Sequence, residues 1–172
     1  MLAALAIDRD HEEARSLLDD LAADEFARMY LDEEYLAGLT LLTEVAWGLD
    51  DTDRAGALYE ILLPYRQLNT VAYPELIFGS VERPLGILAG MTGRSGESDD
   101  HFRRAIDANA RMSARPSVAR TEHDHARILL RRGGPEDRPR ARQLLAAARE
   151  AYAELDMQPW LARVEEELEA TR

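Results

Sequence analysis

The stretch LGILAGMTGRSGESDDHFRRAIDAN, Leu85 to Asn109, decides how the rest of the chain is read. Two runs of small and apolar residues flank a polar break carrying Gly93 and Gly96. In the second run Ser98, Phe102 and Ala105 stand at i, i+4 and i+7. Those positions share one face of an α-helix, so the run offers an apolar stripe with a notch at its small first member. The pattern returns in EEARSLLDDLA from Glu12, DRAGALYEILL from Asp53 and RARQLLAAARE from Arg140. The small and bulky members are Ala14 and Leu18, Ala55 and Tyr59, and Ala141 and Leu145; Leu21, Leu62 and Ala148 complete the stripes. The small residues of the four segments lie 41, 43 and 43 positions apart. A fixed period of this size is the sequence mark of a repeat array, in which one unit cannot bury its stripe without its neighbours.

A second helical stretch precedes each of the last three segments, over about 32–49, 75–92 and 117–132. Asp50-Asp51, Gly93 and Gly133-Gly134-Pro135 end these stretches with helix C-terminal chemistry. The order is therefore helix, tight turn, helix, longer connection. Pro64 ends one helix, Pro74 and Pro116 open others and Pro159 precedes the last, whereas Pro84 falls inside an expected helix and predicts a kink or local break. The expectation is an all-α array of helix pairs over about 1–30, 32–66, 74–112 and 116–157, with a cap helix over 159–171 bearing Glu165, Glu166 and Glu167 on its outer side. At the N-terminus Leu2–Ile7 reads as a stub of first helix, suggesting truncation or an exposed end.

Composition bounds the possibilities. The 172 residues are 46% hydrophobic and 31% charged, enough for one continuous core and for solubility. Ala and Leu dominate the apolar content and favour helix. There is no cysteine, so disulfides and thiolate metal sites are excluded. No apolar run reaches the roughly 18 residues of a membrane span, and no basic leader precedes the opening apolar patch. A cytoplasmic protein is expected. All 21 basic residues are Arg, yet the net charge of -12 argues against nucleic acid as a partner. Residues 1–78 hold 17 acids and 5 bases, residues 79–149 hold 9 and 14, and residues 150–172 hold 7 and 2. An acidic end and a basic middle result.

The small, aromatic and Ala positions Ser98, Phe102 and Ala105, with Leu85, Gly86 and Gly93 before them, resemble the tetratricopeptide repeat, a family of paired antiparallel helices. The resemblance implies stacking of the pairs in a right-handed superhelix, an α-solenoid. The 41–43-residue period exceeds the family's roughly 34 residues. The wording LGILAGMTGR, HFRRAIDANARM, ARPSVART and ARILLRRGG is also similar to the C-terminal repeat regions of bacterial ATPase-linked transcriptional regulators and nucleotide cyclases, over about 38–157. A fragment or short relative of such a regulator is implied, its sensory or assembly arm, working as a protein–protein interaction scaffold. In the family the first helix of each pair lines the concave groove. The matching positions here are Thr40, Glu44 and Trp47, then Arg83 and Ile87, then Arg120, His123, Arg127 and Arg131. Such a groove is basic toward the C-terminus and fits an acidic ligand, since Arg pairs well with carboxylates. The expected partner is a protein or acidic peptide. A sensor of a small acidic effector and a homodimerisation module are the alternatives.

No catalytic constellation is found, and no cofactor or metal is expected. His123 and His125 sit at i and i+2, about 200° apart on a helix, and cannot share a metal. His125 reads as a packed core histidine, and His11 and His101 as inert residues on polar faces. Asp50-Asp51 and Asp99-Asp100 lack the Gly and distal Glu of a calcium loop and read as first-turn acids, so that Asp99→Ala should be nearly silent. Gly93-x-x-Gly96 lacks the Gly-Lys of a phosphate loop. Arg131, Arg132, Arg138, Arg140 and Arg142 cluster about one loop, which Glu136 and Asp137 make a solvated loop rather than a phosphate site.

Overall fold

All four striped segments are helical in the computed structural model, which describes residues 11–23, 26, 31–32, 34–72 and 76–171. The Leu2–Ile7 stub and Pro74 lie outside the described residues. The elements run α1 (His11–Ala22), α2 (Tyr35–Gly48), α3 (Thr52–Leu62), a 3-10 turn (Leu63–Tyr65), β1 (Asn69–Ala72), β2 (Leu76–Ser80), α4 (Glu82–Met91), α5 (Ser95–Arg111), α6 (Arg115–Arg132), α7 (Asp137–Glu154) and α8 (Gln158–Ala170). The protein is mostly helical. It divides into two compact units, residues 1–98 and 99–172, with the boundary inside α5.

Short turns with one shared geometry follow α2, α4, α5 and α7. After α2 the Asp51 N–H donates to Ala46 O and Asp50, at φ +56°, donates to Trp47 O. Arg94 to Ala89, Ala114 to Asn109 and Met157 to Tyr152 repeat the longer bond after α4, α5 and α7. These are Schellman caps, in which one left-handed residue lets the last carbonyls find donors. Gly93 fills that position after α4, but Asp50, Ser113 and Asp156 fill it elsewhere. A left-handed non-glycine residue costs roughly 1–2 kcal/mol. Ser113 is exposed, so Ser113→Gly should stabilise the protein by about 0.5–1 kcal/mol, the remainder being offset by the freer unfolded chain. Urea denaturation checks this; an unchanged midpoint would remove the strain from the account.

In the first unit α2 packs on α3 and α4, and α3 on α4. Leu39, Val45, Leu58, Leu62, Leu85, Ile87 and Leu88 form its interior. Asp51 caps α3 by accepting from the Arg54 N–H at 3.1 Å. Ser98 Oγ donates to Gly86 O at 2.7 Å, so the notch of the opening stretch is where the backbone of α4 passes close to α5.

Two expectations fail here. The helix expected over 75–92 begins only at Glu82, and a hairpin stands before it, with Val71 opposite Ile77 and Ala72 opposite Leu76. The architecture is therefore not all-α. Thr70-Val71 and Leu76-Ile77-Phe78 are two β-prone runs on either side of a Pro-bearing break, and Gly79 adopts φ +95°, which no helix continues through. Pro84, where a kink or local break is expected, follows the break between β2 and α4 by only a few residues. It sits in the first turn of α4, where its missing N–H has no intrahelical partner to lose.

In the second unit α6 and α7 pack along most of their length and α8 packs on α7. Ala119, Ala126, Leu129, Ala141, Leu145, Ala148, Tyr152 and Val164 make the core. Pro116 and Pro159 stand in the first turns of α6 and α8, as the sequence suggests. The connection from α5 to α6 is as tight as the turns within pairs, not longer. Among the described residues no helix is long and apolar enough to cross a membrane.

Candidate functional site

The groove positions fall in both units. In the first, Thr40, Arg83 and Ile87 are buried rather than lining a surface. Thr40 Oγ1 lies 3.2 Å from Thr70 Oγ1, so the hairpin covers this face of α2. Arg83 donates to the Glu44 carboxylate, and Trp47 is half-buried.

In the second unit α6 carries Arg120, His123, Arg127 and Arg131 at steps of three and four residues, along one face. The first three meet α8. The Arg120 guanidinium lies 3.9 Å over the Trp160 ring, a cation–π contact. His123 Nε2 is 2.9 Å from Glu167 Oε2. A carboxylate only accepts, so Nε2–H donates to it, and Nδ1 lies 3.4 Å from the Tyr152 hydroxyl. Arg127 Nε is 3.4 Å from the other oxygen of Glu167. Trp160 also stands edge-on to the His123 ring, with centroids 6.4 Å apart. Arg131 is exposed at the end of the row.

Glu167 is thus not an outer residue of the cap, as its place in the Glu165–Glu167 run suggests. At i and i+7 on α8, Trp160 and Glu167 share the face turned toward α6. Nothing in the sequence distinguishes Glu167 from its neighbours except that seven-residue step. The Tyr152–His123–Glu167 chain has the form of a proton relay, but Tyr152 is fully buried and its oxygen is closed to a substrate.

A second cluster centres on Asp99. His125 Nε2 donates to Asp99 Oδ1 at 2.8 Å, Arg132 donates to Oδ2 at 3.2 Å and Arg140 lies 3.6 Å from the same oxygen. The His125 ring stacks on Phe102 at 4.6 Å and 12°, which makes it the packed histidine expected. Burial pushes the His125 imidazole below its ordinary value, and the bond to Asp99 offsets only part of this. Burial alone would raise the Asp99 carboxyl, yet hydrogen bonds from His125 and Arg132 outweigh it and hold the group below its ordinary value. Asp99 is a hub of the unit and not the unpartnered first-turn acid on which a silent Asp99→Ala rests. The residue lies one position past the notch Ser98, and helix periodicity alone gives it no partners.

The arginine loop is exposed, as expected, but several of its guanidinium groups are paired within the unit. Arg132 donates to both oxygens of Asp137, and Gly134 N–H donates to one of them at 2.8 Å. Arg138 and Arg142 both donate to Thr171 O at the end of α8. His101 is buried, not on a polar face. Among the described residues no three or more His, Asp or Glu side chains come together as metal ligands would. Comparison of the chain with protein-family models, with curated proteins and with solved structures gave no match, so its reading rests on its own residues.

Proposed function

We propose that the protein is a non-catalytic interaction scaffold of tetratricopeptide type, its helix pairs stacked in a right-handed superhelix. It works as the sensory or assembly arm of a bacterial signalling or transcriptional regulator. The observation that carries this reading is the repeated notch. Ala14 and Leu18, Ala55 and Tyr59, Ser98 and Phe102, and Ala141 and Leu145 are all no more than 2% exposed. Four helices spaced 41–43 residues apart bury the same two positions of the same stripe, which is what stacked equivalent units require.

The partner on this reading is an acidic protein segment bound at Arg120 and Arg127, whose forked guanidinium groups suit carboxylates. Support comes from the α6 face, where the group already seated against Arg127 and His123 is the carboxylate of Glu167. The test is a titration of labelled acidic and basic helical peptides, read by fluorescence anisotropy. Acidic peptides should bind, less tightly as salt rises, and Arg120→Glu with Arg127→Glu should weaken them at least tenfold. Both arginines contact α8, so the double variant should also lose about 1 kcal/mol of stability for each contact. Unchanged affinity in the folded double variant would contradict the reading.

A further inference from the structure

We infer that α8 is a resident occupant of a helix-docking face on α6, and that an acidic, aromatic-bearing helix of a partner protein displaces it. The inference rests on the scaffold reading and names the partner of its basic face. The contacts that join α8 to α6 are a cation–π contact and charged hydrogen bonds, as a ligand would make, while Leu161, Val164 and Leu168 hold α8 on the core. Trp160 lies under Arg120, and Glu167, two turns on, accepts from His123 and stands beside Arg127. Val164 is the one residue of α8 fully buried, whereas α7 buries Ala141, Leu145, Ala148 and Tyr152.

The chemistry of the face selects its occupant. His123 is 1% exposed with α8 in place, so when Glu167 leaves, its Nε2–H and the Arg127 guanidinium lose the carboxylate they share. An incoming carboxylate in the same place accepts from His123 and faces Arg127 with the opposite charge; an amide oxygen accepts from His123 but brings no charge to Arg127, and an apolar group does neither. Arg120 requires an aromatic face two turns before the carboxylate. Charge agrees: residues 79–149 carry 14 bases against 9 acids, and α8 itself carries Glu165, Glu166, Glu167 and Glu169. The occupant is a separate protein rather than the α8 of a second copy. Exchange through a straightened α7–α8 helix would place Pro159 in a helix interior, where it removes one bond and clashes with the preceding turn.

The probe is a labelled peptide of α8's own sequence, residues 157–171, and its twin with Gln in place of the Glu167 carboxylate, titrated against the full chain. Wild type should bind the acidic peptide weakly. The full-chain variant Trp160→Ala with Glu167→Gln, whose resident helix is weakened, should bind it at least tenfold tighter, and bind the Gln twin at least tenfold less tightly. Equal affinity of wild type and weakened variant would make α8 a permanent cap and overturn the inference. Loss of acidic-peptide binding in Arg120→Glu/Arg127→Glu separates that outcome from failure of the scaffold reading. Hydrogen exchange on the wild type guards against a variant that does not fold. Saturating acidic peptide should speed exchange of the α8 amides several-fold while α7 amides keep their protection, and unchanged α8 exchange would overturn the inference. So would a dimer formed by the wild type with α8 exchanged, seen by light scattering.

Discussion

Phe102→Ala should lower the stability of the protein by about 3–5 kcal/mol, the usual cost of removing a large aromatic from a packed interior. Phe102 is fully buried and lies flat against His125. Its removal takes away apolar burial and leaves a cavity beside a buried imidazole, whose bond to Asp99 depends on the ring's orientation. For a chain of this length the melting temperature should fall by about 6–20 °C. Phe102→Leu, which keeps much of the apolar volume, should recover most of the loss. Thermal and urea melts followed by circular dichroism check both variants. An alanine variant that melts within a degree or two of wild type would mean that the stripe of α5 is not part of the core.

Asp99→Ala should cost about 1–3 kcal/mol, because it strands donors that now share one carboxylate. His125, Arg132 and Arg140 all face that group. The pH profile gives a readout that a simple packing defect would not. The folded His125 imidazole titrates below its ordinary 6.5, so its neutral form is favoured in the folded protein. That contribution is fully present above 6.5 and is lost as pH falls through the region below it. Asp99 is held below its ordinary 3.8, so its contribution is present above that value and is lost as pH falls through the folded value. Wild-type stability should therefore decline in two acid steps. In Asp99→Ala the lower step attributable to this carboxylate should vanish. The His125 step should remain, since its principal cause is burial. Urea midpoints measured from pH 8 to pH 3 check this. Parallel profiles for the two proteins would contradict the hub.

The helices were legible because their evidence is periodic. Ser98, Phe102 and Ala105 announce a buried face, and the segments aligned with them place α1, α3 and α7 to within a few residues. The turns were legible where Gly93 and Gly133 stand, and Asp50 took the same conformation without the glycine. The hairpin was missed because Leu76, Ile77 and Phe78 join smoothly to the apolar run of α4; Gly79 was the available signal. Asp99 and Glu167 were misjudged for a different reason. Helical spacing tells which residues share a face, but it does not tell which face of a neighbouring helix arrives there. Glu167 finds a residue 44 positions away and Asp99 one 26 positions away. Partners at such separations are set by packing, which carries no local sequence mark.

If the four striped helices are equivalent units, each repeats the close approach seen at Ser98, and a leucine scan of the notch checks this. Ala14, Ala55, Ser98 and Ala141, each fully buried, are replaced singly by Leu. Each replacement should destabilise by about 1–3 kcal/mol, the cost of forcing methyl groups into a filled site. Leu at the exposed positions Ser16, Ala57, Asp107 and Gln143 should change stability by no more than roughly 0.5 kcal/mol. Four comparable losses in urea melts, with the exposed set silent, is the result expected of equivalent units. A loss confined to Ser98, with Ala14, Ala55 and Ala141 as tolerant as the exposed positions, would contradict the repeat and the scaffold built on it.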